Sequence, residues 1–298
     1  MGVWRLDDLL ENQEMIVSVF GTGNSGAALV HGLLNAHGIE ELRIASHRRV
    51  SAEAAYLDAV SSTIDPLFPI RVVDAHASGE AEAIVLSSGM QIPEGASAGF
   101  VFDQNAEMLR RVCDTVSPRD DSIVIVIASP VDDVTSVVRD HLGARAGPVI
   151  GFGGDLDFAR LRHSLRIRRL PCKPITIVGE HGRNAIPVFE PEEDYSRVAR
   201  DIRTHLPRIT EGGRPRNLAT GAWLAELVES LANGAGRTHI VSAPHPAFGL
   251  ALTWPFRVQE QGRLEMVETQ LPPLAAHDLD RLIDAKRRMD TARLDSVL

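Results

Sequence analysis

Six consecutive residues, Gly21-Thr22-Gly23-Asn24-Ser25-Gly26, carry the most specific local chemistry in this sequence. They end an apolar, β-branched run (Ile16-Val17-Ser18-Val19-Phe20) and precede a helical pattern of Ala27, Ala28, Leu29, Val30, Leu33 and Leu34. Strand, glycine turn, helix is the context in which G-x-G-x-x-G binds a dinucleotide. Gly21 permits the tight turn, Gly23 lets a pyrophosphate approach the backbone, and Gly26 lets the helix pack close to the strand. The helix N-terminus then offers unpaired N–H groups and a partial positive charge to phosphate. The alternative is a plain βα turn.

A second group qualifies the first. Leu42-Arg43-Ile44-Ala45 reads as the next strand and runs into Ser46-His47-Arg48-Arg49. Ser46 stands 20 positions after Gly26, where an NAD-binding unit places an Asp or Glu for the ribose 2′-hydroxyl. No acid is present. A hydroxyl and two guanidinium groups suit a 2′-phosphate, which a carboxylate would repel. The expected cofactor is therefore NADP(H), with NAD(H) as the alternative. Two solvated arginines opening a helix are the plainer reading of the same residues.

The elements that hold these groups alternate. A helix over 50–60, a strand over 70–73, a strand over 83–86, a helix over 102–116 and a strand over 122–127 follow in turn. Strands alternating with helices predict a doubly wound parallel sheet. Residues 3–13 show a short amphipathic pattern, and the segment 90–99 reads as a loop. Past residue 148 the pattern changes to helix 155–170, strand 175–178, helices near 193–207 and 216–233, a β-rich region at 238–270 and a charged helix at 276–295. The expected fold class is α/β: an N-terminal Rossmann domain over 1–148 and a C-terminal mixed α+β domain over 149–298.

Bulk properties exclude several classes. The chain has 298 residues and a formal charge of −9, with no basic block, so nucleic acid is not an expected partner. Two cysteines give no disulfide framework and fit a reducing cytoplasm. No apolar run approaches the roughly 18 residues that span a membrane, and the acidic N-terminus lacks a signal core. No metal site is assigned.

Taken in order, GTGNSG, AIVLSSG, QNAEMLRRV, SPVD, DLDFAR and GEHG resemble the lactate/malate dehydrogenase family over almost the full length. The resemblance implies an oligomeric enzyme, a homodimer or homotetramer, acting on a small carbonyl or hydroxy-acid substrate. It makes His181 the acid–base group, since imidazole titrates near working pH. Asp157 becomes the carboxylate that pairs with His181 and favours its charged form. Arg160, three positions on and on the same helix face, becomes the anchor for a substrate carboxylate through two parallel hydrogen bonds. Ser88 and Gly89 join the cofactor-binding set, and Ser129 the substrate-binding set.

Three departures from the family pattern stand out. The loop 90–99 corresponds to the active-site lid but holds no Arg or Lys, and Ala98 occupies the place of the main lid arginine. Loss of that charge removes the usual reason to expect malate or oxaloacetate. Ser129 replaces the family's Asn before Pro130, and the Ser129–Pro130 bond is a candidate cis peptide. Arg214, Arg216 and Asn217 line the approach to a pocket wall that normally presents a small or hydroxylated residue; Arg216 is expected to replace the missing lid charge. The expected function is NADP(H)-dependent interconversion of a specialised 2-oxo and 2-hydroxy acid. A reductase of another aldehyde or ketone, and a catalytically weak nucleotide-binding protein, are the alternatives.

Overall fold

Each early strand of this chain sends alternate residues into two different cores. The computed structural model describes residues 14–63, 66–90, 98–211, 217–234 and 236–295. The chain begins with β1 (Met15–Phe20), α1 (Asn24–Leu33), β2 (Ile39–Ala45), α2 (Arg49–Ser62), β3 (Ile70–Val72), α3 (Ala75–Gly79) and β4 (Ala83–Leu86). It continues through α4 (Phe102–Val116), β5 (Ile123–Val126), α5 (Val131–Leu142) and β6 (Val149–Phe152). Val17 and Val19 of β1, Val85 of β4 and Ile125 of β5 join one cluster with Leu29, Val30 and Leu33 of α1. Phe20, Ile84, Leu86, Val124 and Val126 join the other, with Leu109 and Val112 of α4 and Val134 and Val138 of α5. A period of two with both faces apolar is what a strand covered on both sides requires. Each fully buried aliphatic side chain contributes about 1.5–3 kcal/mol.

The second half supplies α6 (Gly154–Ile167), β7 (Ile175–Gly179), β8 (Ala185–Phe189), α7 (Tyr195–Glu211), α8 (Asn217–Asn233), β9 (Thr238–Pro244), β10 (Ala251–Val258), β11 (Leu264–Met266) and α9 (Pro273–Asp295). The strands form one sheet in the order β3-β2-β1-β4-β5-β6-β9-β10-β7-β8, with β11 on β10. β1 to β6 are parallel. β9 joins β6 antiparallel, and the remaining pairs are antiparallel as well. This is the expected α/β class: six parallel strands in doubly wound order, continued by an antiparallel half.

Several bounds differ from the sequence reading. β2 begins at Ile39, three residues early, because Glu41 lies in the ladder with its carboxylate on Arg43 and Arg71. The five-residue α3 is capped by Asp74, which accepts the Ala77 N–H at 2.9 Å. α6 stops at Ile167, short of 170, where Arg169 turns left-handed (φ 56°). β8 contains Pro187, which a sheet accepts at an edge, and β8 is the edge strand. The amphipathic pattern at 3–13, most of the lid segment, Arg214 and Arg216 lie outside the described residues.

Candidate active site

The loops after β1, β2, β4 and β5, and Gly153 after β6, all leave the carboxyl ends of parallel strands, where open α/β sheets bind ligands. The glycine loop has the shape the sequence predicts. Gly21 has φ +101°, and a Cβ there would lie 2.8 Å from Ser88 Oγ and 2.9 Å from the Ser87 backbone. A Cβ on Gly26 would lie 1.9 Å from the Gly21 carbonyl oxygen. A Cβ on Gly23 meets nothing within 4 Å, so Gly23 faces open space. Gly23 is the N-cap of α1, and no side chain caps that end. Thr22 Oγ1 and Ser87 Oγ are buried without a hydrogen-bond partner among the described residues. Open backbone, an uncapped helix end and two unused hydroxyls fit a dinucleotide pyrophosphate. Asn24 and Ser25 form the first turn of α1, and Gly89 packs against Ala128.

At the end of β2, Ser46 is half-buried, and His47, Arg48 and Arg49 are exposed. The His47 ring stands edge-on to Phe20, 5.1 Å between centroids. Arg48 is the N-cap of α2. Arg49 Nε donates to Glu53 Oε1 at 2.9 Å on the exposed helix face. Such a pair is worth well under about 1 kcal/mol, so a phosphate can displace it.

The cluster around His181 is assembled across β6, α6 and the turn after β7. Asp157, fully buried in the first turn of α6, uses both carboxylate oxygens. Oδ2 lies 2.7 Å from His181 Nδ1 and accepts the Gly182 N–H at 2.9 Å; Oδ1 accepts Arg160 Nη1–H at 2.5 Å. Burial pushes the Asp157 pKa up, but the charge and hydrogen bond of His181, Arg160 and the Gly182 N–H outweigh it and hold the carboxyl below its usual range. Burial pulls the His181 pKa down; the Asp157 charge and hydrogen bond outweigh that and raise it. The result is a half-buried imidazole biased toward its protonated form, with Nδ1 committed to Asp157 and Nε2 without a hydrogen-bond partner among the described residues. Arg160 stands beside it, its side chain mostly covered.

Other groups in the site escaped the sequence reading. Asp132, in the S-P-V-D turn, accepts the His181 backbone N–H at 3.0 Å and the Thr253 hydroxyl at 2.9 Å. Burial and the nearby Glu180 charge push its carboxyl up to about 6, against the opposing pull of Lys286. Buried Asn105, in the quoted Q-N-A-E-M-L motif, donates to the Ser129 carbonyl at 2.6 Å and to the Met90 carbonyl at 3.2 Å. Its Oδ1 accepts the Met90 N–H at 2.6 Å. It thereby ties the root of the lid segment to Ser129, whose bond to Pro130 is cis. Arg216 is not among the described residues, and at Ala98, which opens a short 3₁₀ turn to Val101, only the backbone is described.

No family model matches the chain. It is 28% identical over 279 residues to an L-lactate dehydrogenase of Chloroherpeton thalassium, covering 83% of this chain and 90% of that protein. It is 24% identical over 274 residues to L-lactate dehydrogenase A of Rhizopus oryzae, covering 86% of each. Among solved structures, a lactate dehydrogenase from a Medee basin deep-sea metagenome superposes with a TM-score of 0.79 at 19% identity, over 93% of this chain and 98% of that one. The minor L-lactate dehydrogenase of Enterococcus mundtii gives the same TM-score at 20% identity, over 96% and 99%. The ordered motifs and relatives aligned over more than four-fifths of the chain make it similar to the lactate/malate dehydrogenase family, and the solved lactate dehydrogenases share its fold.

Proposed function

We propose that this protein is an NADP(H)-dependent oxidoreductase that interconverts a 2-oxo acid and a 2-hydroxy acid other than lactate or malate. The observation that carries this reading is the double use of Asp157, which binds His181 through one oxygen and Arg160 through the other. One carboxylate thus sets a proton donor and a carboxylate anchor side by side, the pair that reduction of a 2-oxo acid requires.

The glycine loop, with Thr22, Asn24, Ser25, Ser88 and Gly89, would hold the pyrophosphate end of the nucleotide. Ser46, Arg48 and Arg49, with His47 braced on Phe20, would meet the ribose and its 2′-phosphate. When bound, a nicotinamide supplies or takes up the hydride. His181 donates the proton to the nascent alkoxide from Nε2 and takes it back in the reverse direction. Arg160 turns from Asp157 toward the substrate carboxylate, and Ser129 offers its hydroxyl to the carbonyl side. The absence of Arg and Lys from 90–99 supports a substrate whose distal group is not a carboxylate held by the lid. Arg216 is the proposed substitute; Arg216→Ala is expected to raise KM with little change in nucleotide affinity. The reading includes a nucleotide half over 1–148, a substrate half over 149–298, and a homodimer or homotetramer. Exposed Val50 and Leu57 on α2 support the oligomer.

Fluorescence titration with NADPH and NADH, followed by a panel of 2-oxo acids against simple ketones and aldehydes, tests this. Tighter NADPH binding and turnover confined to 2-oxo acids is the expected outcome. NADH-favoured binding removes the phosphate role of Ser46, Arg48 and Arg49; ketone-only turnover removes the role of Arg160.

A further inference from the structure

Lys286 is 5% exposed, deep on the inner face of the C-terminal helix α9. Leu282 and Ile283, a turn earlier, are buried on the same side with Leu279 and Ala275. Packing alone would be served by another aliphatic residue, and a buried ammonium is costly unless it is paired. Lys286 Nζ is paired twice: it donates to Asp133 Oδ1 at 2.8 Å and, in a short contact, to Glu180 Oε1. These partners are the chain neighbours of the two groups that matter most. Asp133 follows Asp132, which holds the His181 backbone N–H, and Glu180 precedes His181 itself.

The charges around His181 come from four elements. Asp157 and Arg160 face it from α6, Asp132 with Asp133 from α5, Glu180 from its own turn, and Lys286 from α9 behind that turn. Four carboxylates are therefore set against two permanent cations. Arg160 is the cation that the substrate would draw away, which leaves Lys286 as the fixed one.

We propose that Lys286 is a positioning residue for proton transfer at His181, clamping Glu180 and Asp133 so that the Gly179–Gly182 turn holds the imidazole in place and its charge in balance. The proposal rests on the reading of His181 as the proton donor. Burial pulls the Lys286 pKa down, and the charges of Glu180, Asp133 and Asp132 more than restore it, so the cation persists at all working pH values.

The test is an NMR pH titration of the His181 imidazole in histidine-labelled full-length protein, with kinetics alongside. Lys286→Met removes a cation and leaves Glu180, Asp133 and Asp132 uncompensated, so the His181 pKa rises by about one pH unit. Glu180→Gln removes an anion and moves it the other way. Lys286→Arg keeps the charge and the wild-type titration. The pH profile of kcat/KM for 2-oxo acid reduction follows the same shifts, with NADPH affinity unchanged. A His181 titration identical to wild type in Lys286→Met, or in Glu180→Gln should Lys286→Met not fold, overturns the proposal. If the wild-type protein reduces no 2-oxo acid, the functional reading falls, and the titration still decides the link from Lys286 to His181.

Discussion

Gly153 lies directly against the ring of His181: a Cβ on Gly153 would sit 2.5 Å from His181 Cγ and 2.8 Å from Nδ1. Gly153 joins β6 to α6, so the strand that ends the parallel half also forms the wall on which the imidazole rests. The ring is held by three contacts of different kinds. Backbone covers one face, Asp157 takes Nδ1, and Asp132 takes the main-chain N–H. Nε2 is left without a hydrogen-bond partner among the described residues.

Gly153→Ala is expected to displace the imidazole by steric overlap. Misplacement by about 1 Å costs on the order of 10²-fold in rate. The outcome to look for is a fall of that size in kcat/KM with NADPH affinity unchanged, since Gly153 is remote in sequence from the glycine loop. Wild-type turnover would contradict the placement of His181.

Asp157→Asn removes the charge that holds the His181 pKa up. Reduction needs the imidazolium, so the rate is full below the His181 pKa and falls as pH rises through it. In the variant that falling limb moves to lower pH, and kcat/KM at neutral pH drops by roughly 10²- to 10⁴-fold. A pH–rate profile in the direction of carbonyl reduction measures both effects.

Gly23→Ala and Gly26→Ala separate nucleotide binding from folding. The Gly23 Cβ enters open space, so this variant keeps wild-type stability and loses nucleotide affinity, read by fluorescence titration. The Gly26 Cβ meets the Gly21 carbonyl at 1.9 Å, so this variant loses stability as well, by about 1–3 kcal/mol for an overpacked contact. Denaturation by urea distinguishes the two.

Asn105→Ala leaves the Met90 N–H and the Met90 and Ser129 carbonyls without their buried partner. Loss of such groups costs about 1–3 kcal/mol. Stability should fall by that amount, and KM for the substrate should rise more than the Kd for nucleotide, because Ser129 and the root of the lid segment are both released.

Much of this architecture was legible in the sequence because it depends on neighbours. Strand-turn-helix at 15–33 needs only a run of β-branched residues, three glycines and a 3.6-residue apolar period. The motif order likewise identified His181, Asp157 and Arg160, and Asp157 and Arg160 share a helix face by spacing alone. The pairing of His181 with Asp157 spans 24 residues, and it forms because α6 packs against β7. Other contacts between distant residues left no local trace. Asn105 reaches Ser129 across 24 residues, Asp132 reaches Thr253 across 121, and Lys286 reaches Asp133 across 153. A lysine in a charged C-terminal helix reads as solvated, since its own neighbours are charged. Only the packing of α9 onto the sheet turns it inward, where desolvation makes the charge valuable and Glu180 and Asp133 its obligatory partners. Local residue order set the elements and the chemistry available to them; the packing of strands and helices decided which side chains could meet.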